Sequence, residues 1–303
     1  MSELVSVVTL TYKKFELLYN AIDSVLSQDY PAIEYIISDD GSPDFPEEEI
    51  RAYIEKNKRD NLKNLQILAH KINQGTVKNV NDAHRHASGE IIIPVSADDS
   101  LMNDTVISRI VGVYRTRNCE TLAVGRALYN EHGEFIRNIP SRKEARILSK
   151  LKNNKEQYQR FITGRFFEAY SGCTLSMKRS FIERWGHFDE KYALLEDGPF
   201  FAQYLWENYM ECAFDIIGVR YNEGGVSTGK KHPLLLKDDE IFRQTDRVAH
   251  INELSWFQRA IVKHSVQRSK DQSKRGRVLA ALKHPVGFIG IKIYRIGLRI
   301  LRD

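Results

Sequence analysis

Ile33-Glu34-Tyr35-Ile36-Ile37-Ser38-Asp39-Asp40-Gly41-Ser42 is the stretch on which the fold turns. Its first five residues are β-branched or aromatic around a single Glu, as in a strand buried on both faces. They run straight into two carboxylates and a Gly-Ser turn. A strand ending on an acidic pair has a bland explanation, since Asp suits turns and caps helices. The arrangement recurs, however, where Glu90-Ile91-Ile92-Ile93-Pro94-Val95 leads into Ser96-Ala97-Asp98-Asp99. Four carboxylates in one crevice repel unless something cationic shares them. A hard divalent cation bridging phosphate oxygens is the usual solution.

Working outward, Leu4 to Leu10 reads as a first buried strand, and Leu17, Leu18, Ala21, Ile22, Val25 and Leu26 form one helical stripe closed by Pro31. Glu47 to Lys58 is helical, Leu65 to Leu68 a strand, and Val77 to Ala87 helical. Strand and helix therefore alternate, which predicts an α/β fold with a mostly parallel, Rossmann-like sheet flanked by helices. Ligands of such sheets bind beyond the carboxyl ends of the strands, so both acidic pairs are expected to face one cleft. Farther on, Thr105 to Thr116 reads as helix, Leu122 to Gly125 and Phe135-Ile136 as strands, and the polar stretch 141–168 as helical. Thr174 to Met177 suits a strand and Arg179 to Trp185 a short helix. After the turn Gly186-His187-Phe188-Asp189, Glu196-Asp197-Gly198 opens a helix from Pro199 to Glu207.

Composition narrows the class. The chain has 303 residues, 42% of them hydrophobic and 28% charged, as in an ordinary globular protein. No run approaches the roughly 20 apolar residues of a membrane span, and Met1-Ser2-Glu3-Leu4 does not resemble a secretion signal. Cys119, Cys173 and Cys212 are too scattered for a metal cluster and read as buried free thiols of a cytoplasmic protein. Charge is unevenly spread. Residues 255–303 hold twelve Lys/Arg against two Asp/Glu, while the whole chain is +5, so residues 1–254 carry about −5. A mildly acidic body bears a strongly basic tail.

The ordered blocks Val5 to Tyr12, Ala21 to Gln28, Ile36 to Ser42, Asn73-Gln74-Gly75 with Asn81, Ala87 to Ile92 and Ala97-Asp98-Asp99 resemble family 2 glycosyltransferases. Gly186 to Glu190 and Glu196-Asp197 resemble the acceptor side of the same family, so the likeness runs over about residues 4 to 210. The resemblance implies the GT-A fold and inverting transfer of a sugar from a UDP-sugar donor to a hydroxyl of a glycan or lipid-linked glycan, in surface polysaccharide synthesis of the capsule or O-antigen kind. It implies that Thr11 and Tyr12 border the nucleobase, that Asp39 accepts a hydrogen bond from the uracil imide, and that Asn73 belongs to the donor-binding set. Asp98 contacts the ribose or shares the metal, and Asp99, closing the DXD motif, ligates Mn²⁺ or Mg²⁺. Asp197 is the implied general base, set against the plain alternative of a helix cap. The chain departs from the family at Ser96, where an Asp is common, and at Val80, where Arg is common. Lys78 is a candidate to reach the diphosphate in its place, set against an ordinary solvated lysine.

Residues 1–225 thus read as the glycosyltransferase domain and 226–303 as a basic, mainly helical extension. Gly229-Lys230-Lys231-His232 reads either as a surface turn or as a lid closing Lys231 or His232 on the diphosphate. In the tail, Ile289, Ile293, Ile296 and Ile300 lie on one helical face and Lys292, Arg295, Arg299 and Arg302 on another, about 100° away. That helix suits docking on the catalytic domain or on a partner subunit, as in a homo-oligomer, or the headgroups of an anionic membrane at the inner face of the cell membrane. No nucleic-acid module accompanies the charge. Two rival readings stay open: a nucleotidyltransferase, which lacks its phosphate loop after the first strand, and a non-catalytic nucleotide- or glycan-binding relative.

Overall fold

The computed structural model describes residues 2–13, 15–224, 232–271 and 273–302. In chain order the strands are β1 (Val5–Thr11), β2 (Ile33–Asp39), β3 (Leu62–Ala69), β4 (Ile91–Pro94), β5 (Ser100–Leu101), β6 (Thr121–Tyr129), β7 (Phe135–Ile139), β8 (Leu175–Lys178) and β9 (Glu211–Asn222). The α-helices are α1 (Leu18–Leu26), α2 (Glu47–Asn57), α3 (Thr76–His86), α4 (Val106–Arg117), α5 (Arg142–Leu148), α6 (Asn154–Ile162), α7 (Arg179–Trp185), α8 (Asp197–Glu207), α9 (Pro233–Gln244), α10 (Trp256–Lys270), α11 (Lys274–Lys283) and α12 (Pro285–Arg302). They fall into two compact units. The described residues of the first are 2–139, 171–196 and 211–224; those of the second are 140–170, 197–210 and 232–302.

The first unit carries all nine strands as one sheet in the order β3-β2-β1-β4-β8-β6-β9-β5, with β7 alongside β6. β1 to β4 are mutually parallel where they pair, as the strand–helix alternation predicts. β8 then runs antiparallel to both β4 and β6, and β9 returns parallel to β6. All seven residues of β2 are buried, which is why its first five are β-branched or aromatic apart from Glu34. Against the sheet lies α1, whose buried Leu18, Ala21, Ile22, Val25 and Leu26 follow the i, i+3, i+4, i+7, i+8 rule. Each of the Leu, Ile and Val side chains contributes about 1.5–3 kcal/mol on full burial.

One residue breaks the apolar pattern of β2. Glu34 is fully buried and accepts hydrogen bonds from Ser6 Oγ on β1, Asn64 Nδ2 and Gln66 Nε2 on β3, and both the N–H and hydroxyl of Ser88. Burial alone would raise its pKa, but the bonds from Ser6, Ser88 and Asn64 outweigh that and hold the carboxyl below its ordinary value.

The second unit is helical. Ser141 and Glu144 form a capping box at the start of α5, and the Gln157 side chain of α6 bonds both the N–H and the carbonyl of Met210. Trp206 stacks on His250 with ring centroids 3.9 Å apart. α10 and α12 meet where two glycines remove the side-chain obstacle. A Cβ on Gly287 would lie 2.1 Å from the Ala260 carbonyl oxygen, and one on Gly290 2.7 Å from Ile261 Cγ1.

Several details differ from the sequence reading. β5 and β9 were not among the expected strands, and α8 begins at Asp197 itself. The three cysteines are free, as expected, yet half-buried, with burial pushing the Cys119 thiol up to about 11. Among the described residues, no helix is long and apolar enough to cross a membrane.

Candidate active site

The carboxyl ends of β2, β1 and β4 lie side by side, with β1 in the centre. Thr11 pairs with Asp39 in register, the Asp40 N–H donates to the Thr11 carbonyl at 3.0 Å, and the Ala97 N–H donates to the Leu10 carbonyl at 3.2 Å. The last two residues of β1 are therefore flanked by both acidic segments, which the strand order predicts. Thr11 is buried with its hydroxyl oxygen unpartnered. Tyr12 projects into solvent, the Lys13 ammonium 4.8 Å from its ring centre.

The carboxylates of the first pair divide their work. Asp39, fully buried, accepts from the Ser42 N–H at 2.7 Å and the Ser42 hydroxyl at 2.6 Å. A carboxylate offers about four lone-pair positions, so these two bonds leave room for another donor. Asp40 instead holds the turn that carries Asn73. Its two oxygens accept from the N–H groups of Gln74 at 2.8 Å and Gly75 at 2.9 Å. Burial raises the Asp40 pKa, and those two bonds only partly offset it. Gly75 has φ +93°, and a Cβ there would sit 2.6 Å from the Ala193 carbonyl oxygen, so glycine is required on both counts. Asn73 and Lys78 are exposed around this turn.

In the second pair Asp99 is only 2% exposed. Its Oδ1 accepts from the Asn222 N–H at 2.9 Å, while its Oδ2 has no partner. The Asn222 side-chain amide donates to the Asp98 carbonyl at 2.7 Å. Burial first, then the adjacent Asp98 carboxylate, lift the Asp99 pKa well above the usual carboxylate range; the Asn222 N–H and the Arg126 guanidinium pull it back. Arg126 is itself buried, its guanidinium 5.2 Å from the Tyr221 ring centre. An unpartnered buried carboxylate oxygen beside a like charge is where a cation fits. Among the described residues no third His, Cys, Asp or Glu joins the pair.

The turn from Gly186 to Glu190 is tied to α3. Asn81 accepts from the Phe188 N–H at 2.9 Å and donates to the Phe188 carbonyl at 2.8 Å and to Glu190 at 3.1 Å. His84 packs on the Phe188 ring and, buried, has its pKa lowered to about 3. Asp197 is the half-buried first residue of α8 in the second unit. His232 caps α9, its Nδ1 accepting from the Leu234 N–H at 3.2 Å. The other members of the suggested lid, Gly229, Lys230 and Lys231, lie outside the described residues. Asn222 was missed by sequence reasoning because β9 was not recognised, and Arg126 because the strand read over Leu122 to Gly125 stops one residue short of it. The run from Phe214 to Tyr221, with Ile216, Ile217 and Val219, was the available signal.

A strand-end site of this kind on a mixed, mostly parallel sheet defines a nucleotide-binding α/β protein of the GT-A kind. The chain belongs to glycosyl transferase family 2, whose profile matches residues 6–185. It is 24% identical over 185 residues to a GalNAc(5)-diNAcBac-PP-undecaprenol beta-1,3-glucosyltransferase of Campylobacter jejuni, a match covering 60% of this chain and 56% of that protein. Its fold is similar to S. aureus TarS, with a TM-score of 0.60 at 16% identity, covering 90% of this chain and 44% of that one. TarS residues 1–349 in complex with UDP-GlcNAc gives 0.60 at 15% identity, over 98% of this chain and 91% of that one. A mannosyltransferase of Pyrobaculum calidifontis in complex with GDP-Man and Mn²⁺ gives 0.53 at 16% identity, over 99% and 76%.

Proposed function

We propose that this chain is an inverting glycosyltransferase that moves a sugar from a UDP-sugar to a hydroxyl of a glycan or lipid-linked glycan acceptor in surface polysaccharide synthesis, of the capsule or O-antigen kind. The observation that carries the proposal is the pairing of two acidic strand ends around the last residues of β1, with Asp99 buried and one of its oxygens unpartnered. Membership of family 2 supports the reaction class. The UDP-GlcNAc complex of the TarS fold relative supports a uridine donor, and the undecaprenol-linked acceptor in the Campylobacter relative's name supports a lipid-linked one.

In this reading Thr11 and Tyr12 border the uracil and Asp39 accepts its imide N–H. Asn73, from the turn that Asp40 holds, and Lys78, from the first turn of α3, bind the donor, and Asp98 contacts the ribose or shares the metal. Asp99 would hold Mn²⁺ or Mg²⁺, which supplies charge neutralisation to the departing diphosphate. The acceptor hydroxyl oxygen bonds to the anomeric carbon from the face opposite the leaving group. The bond from that carbon to the phosphate oxygen breaks with its electron pair leaving on UDP, and Asp197 takes the hydroxyl proton. Residues 1–225 form the functional transferase domain and 226–303 its basic extension, on the cytoplasmic face of the membrane as a peripheral protein.

Calorimetric titration with UDP, with and without Mn²⁺, tests the donor site. Metal-dependent binding that disappears in Asp99→Ala supports it. Absence of binding to every uridine nucleotide in both conditions removes the UDP reading and favours a different nucleotide or a non-catalytic role.

A further inference from the structure

α12 carries its most apolar stripe on the side that nothing in its own unit covers. Ile289, Ile293, Ile296 and Ile300 are 55%, 55%, 58% and 64% exposed. The helix packs instead through another face. Gly287 and Gly290 admit α10, Phe288 lies against His264, and Tyr294 meets Phe257. Leu282 and Val286, at the junction of α11 and α12, are exposed as well. Four β-branched side chains aligned on one helical face and left in water are an unusual expense for a surface helix.

The charge around the stripe identifies what covers it. From Lys274 to Arg302 there are eight Lys/Arg and no Asp/Glu. Lys292, Arg295 and Arg299 are exposed along one flank of the stripe. Arg268 on α10 is also drawn into this field. Burial, then the charges of Arg295, Arg277 and Arg243, lower its pKa, so arginines of three other helices of the unit act on Arg268. A second copy pairing through the same stripe would bring two such fields together, which is unfavourable. A polyanionic surface with an apolar layer beneath it satisfies both features at once.

We propose that α12 docks on an anionic lipid surface, its isoleucine stripe entering the acyl boundary and Lys292, Arg295 and Arg299 meeting the headgroups. This deepens the peripheral-membrane reading above and rests on it, assigning the face and the lipid class. It makes the charged phospholipid headgroup a ligand of the second unit, separate from the donor site of the first.

Sedimentation of the full chain with vesicles tests it. Vesicles of phosphatidylglycerol and phosphatidylethanolamine should carry the protein down, and pure phosphatidylcholine vesicles should leave it in solution. Ile293→Ser with Ile296→Ser should lower partitioning at least tenfold. Lys292→Gln with Arg295→Gln and Arg299→Gln should lower it about as much at low salt, with the remaining binding insensitive to salt. Circular dichroism and UDP titration on the same preparations separate this from the donor-site reading: wild-type protein that binds UDP but ignores anionic vesicles overturns the docking alone. Equal binding to both vesicle types overturns the charge assignment. A dimer in light scattering that the Ile→Ser pair dissociates, without vesicle binding, replaces the lipid surface with a second copy.

Discussion

Asn222 grips both members of the second acidic pair, its backbone N–H on Asp99 Oδ1 at 2.9 Å and its side-chain amide on the Asp98 carbonyl at 2.7 Å. β9 thereby fixes the backbone of a segment that β4 has already released. Asn222→Ala keeps the N–H bond and deletes the amide. With one hydrogen bond worth about 1 kcal/mol, Mn²⁺-dependent UDP binding should weaken roughly fivefold, read by calorimetry. The far-UV spectrum should not change.

Asp197→Asn retains the shape at the start of α8 and removes the proton acceptor. If Asp197 is the base, turnover falls roughly 10²–10⁴-fold while UDP affinity holds. Unchanged turnover in a product-release assay would return Asp197 to the role of a residue in a helix's first turn.

Acid should loosen the turn from Gly186 to Glu190. Burial first, then His187 and Arg85, lower the His84 pKa from 6.5 to about 3, so the folded chain keeps the ring neutral against Phe188. The unfolded chain binds the extra proton between these values. Stability from this group is complete above pH 6.5 and is lost as pH falls toward 3, at about 1.4 kcal/mol per pH unit. His84→Leu should flatten the fall in melting temperature between pH 6.5 and pH 4.5, compared with the wild-type chain in the same buffers.

Asn81→Ala should be costly without touching substrate. It removes two buried hydrogen bonds to the Phe188 N–H and carbonyl. At about 1 kcal/mol each, their loss is visible as a lower denaturant midpoint. If Asn81 only decorates α3, the midpoint will shift by less than about 0.5 kcal/mol in equivalent terms.

The parallel half of the sheet was legible because burial on both faces leaves a signature in composition: β1, β2 and β4 are rich in β-branched and aromatic residues, and the acidic pairs lie at or just beyond the ends of β2 and β4. Asp39 and Asp99 could be located for that reason. The resemblance gave Asp39 a role and Asp40 none; that Asp40 turns toward Gln74 and Gly75 depends on backbone direction after the strand, which residue type does not encode. β5 has two residues and no periodicity to read. β9 mixes Glu211, Asp215 and Arg220 into its apolar run, which masks the strand, and with it went Asn222. The isoleucine stripe of α12 was visible as a period, but only packing could show that glycines, not isoleucines, face α10.

Glu34 has a consequence for how the chain reaches this fold. Its five hydrogen bonds come from β1, β3 and the turn before β4, so its charge is neutral in cost only when all three are in place. A slip of β2 by one residue would rotate Glu34 to the opposite face of the sheet and leave an ionised carboxylate among apolar side chains. Apolar strands of similar composition could otherwise pair in several alignments at little penalty. One carboxylate therefore acts as a proofreader of strand alignment, rejecting mispaired sheets during folding before the nucleotide site at their far edge is ever assembled.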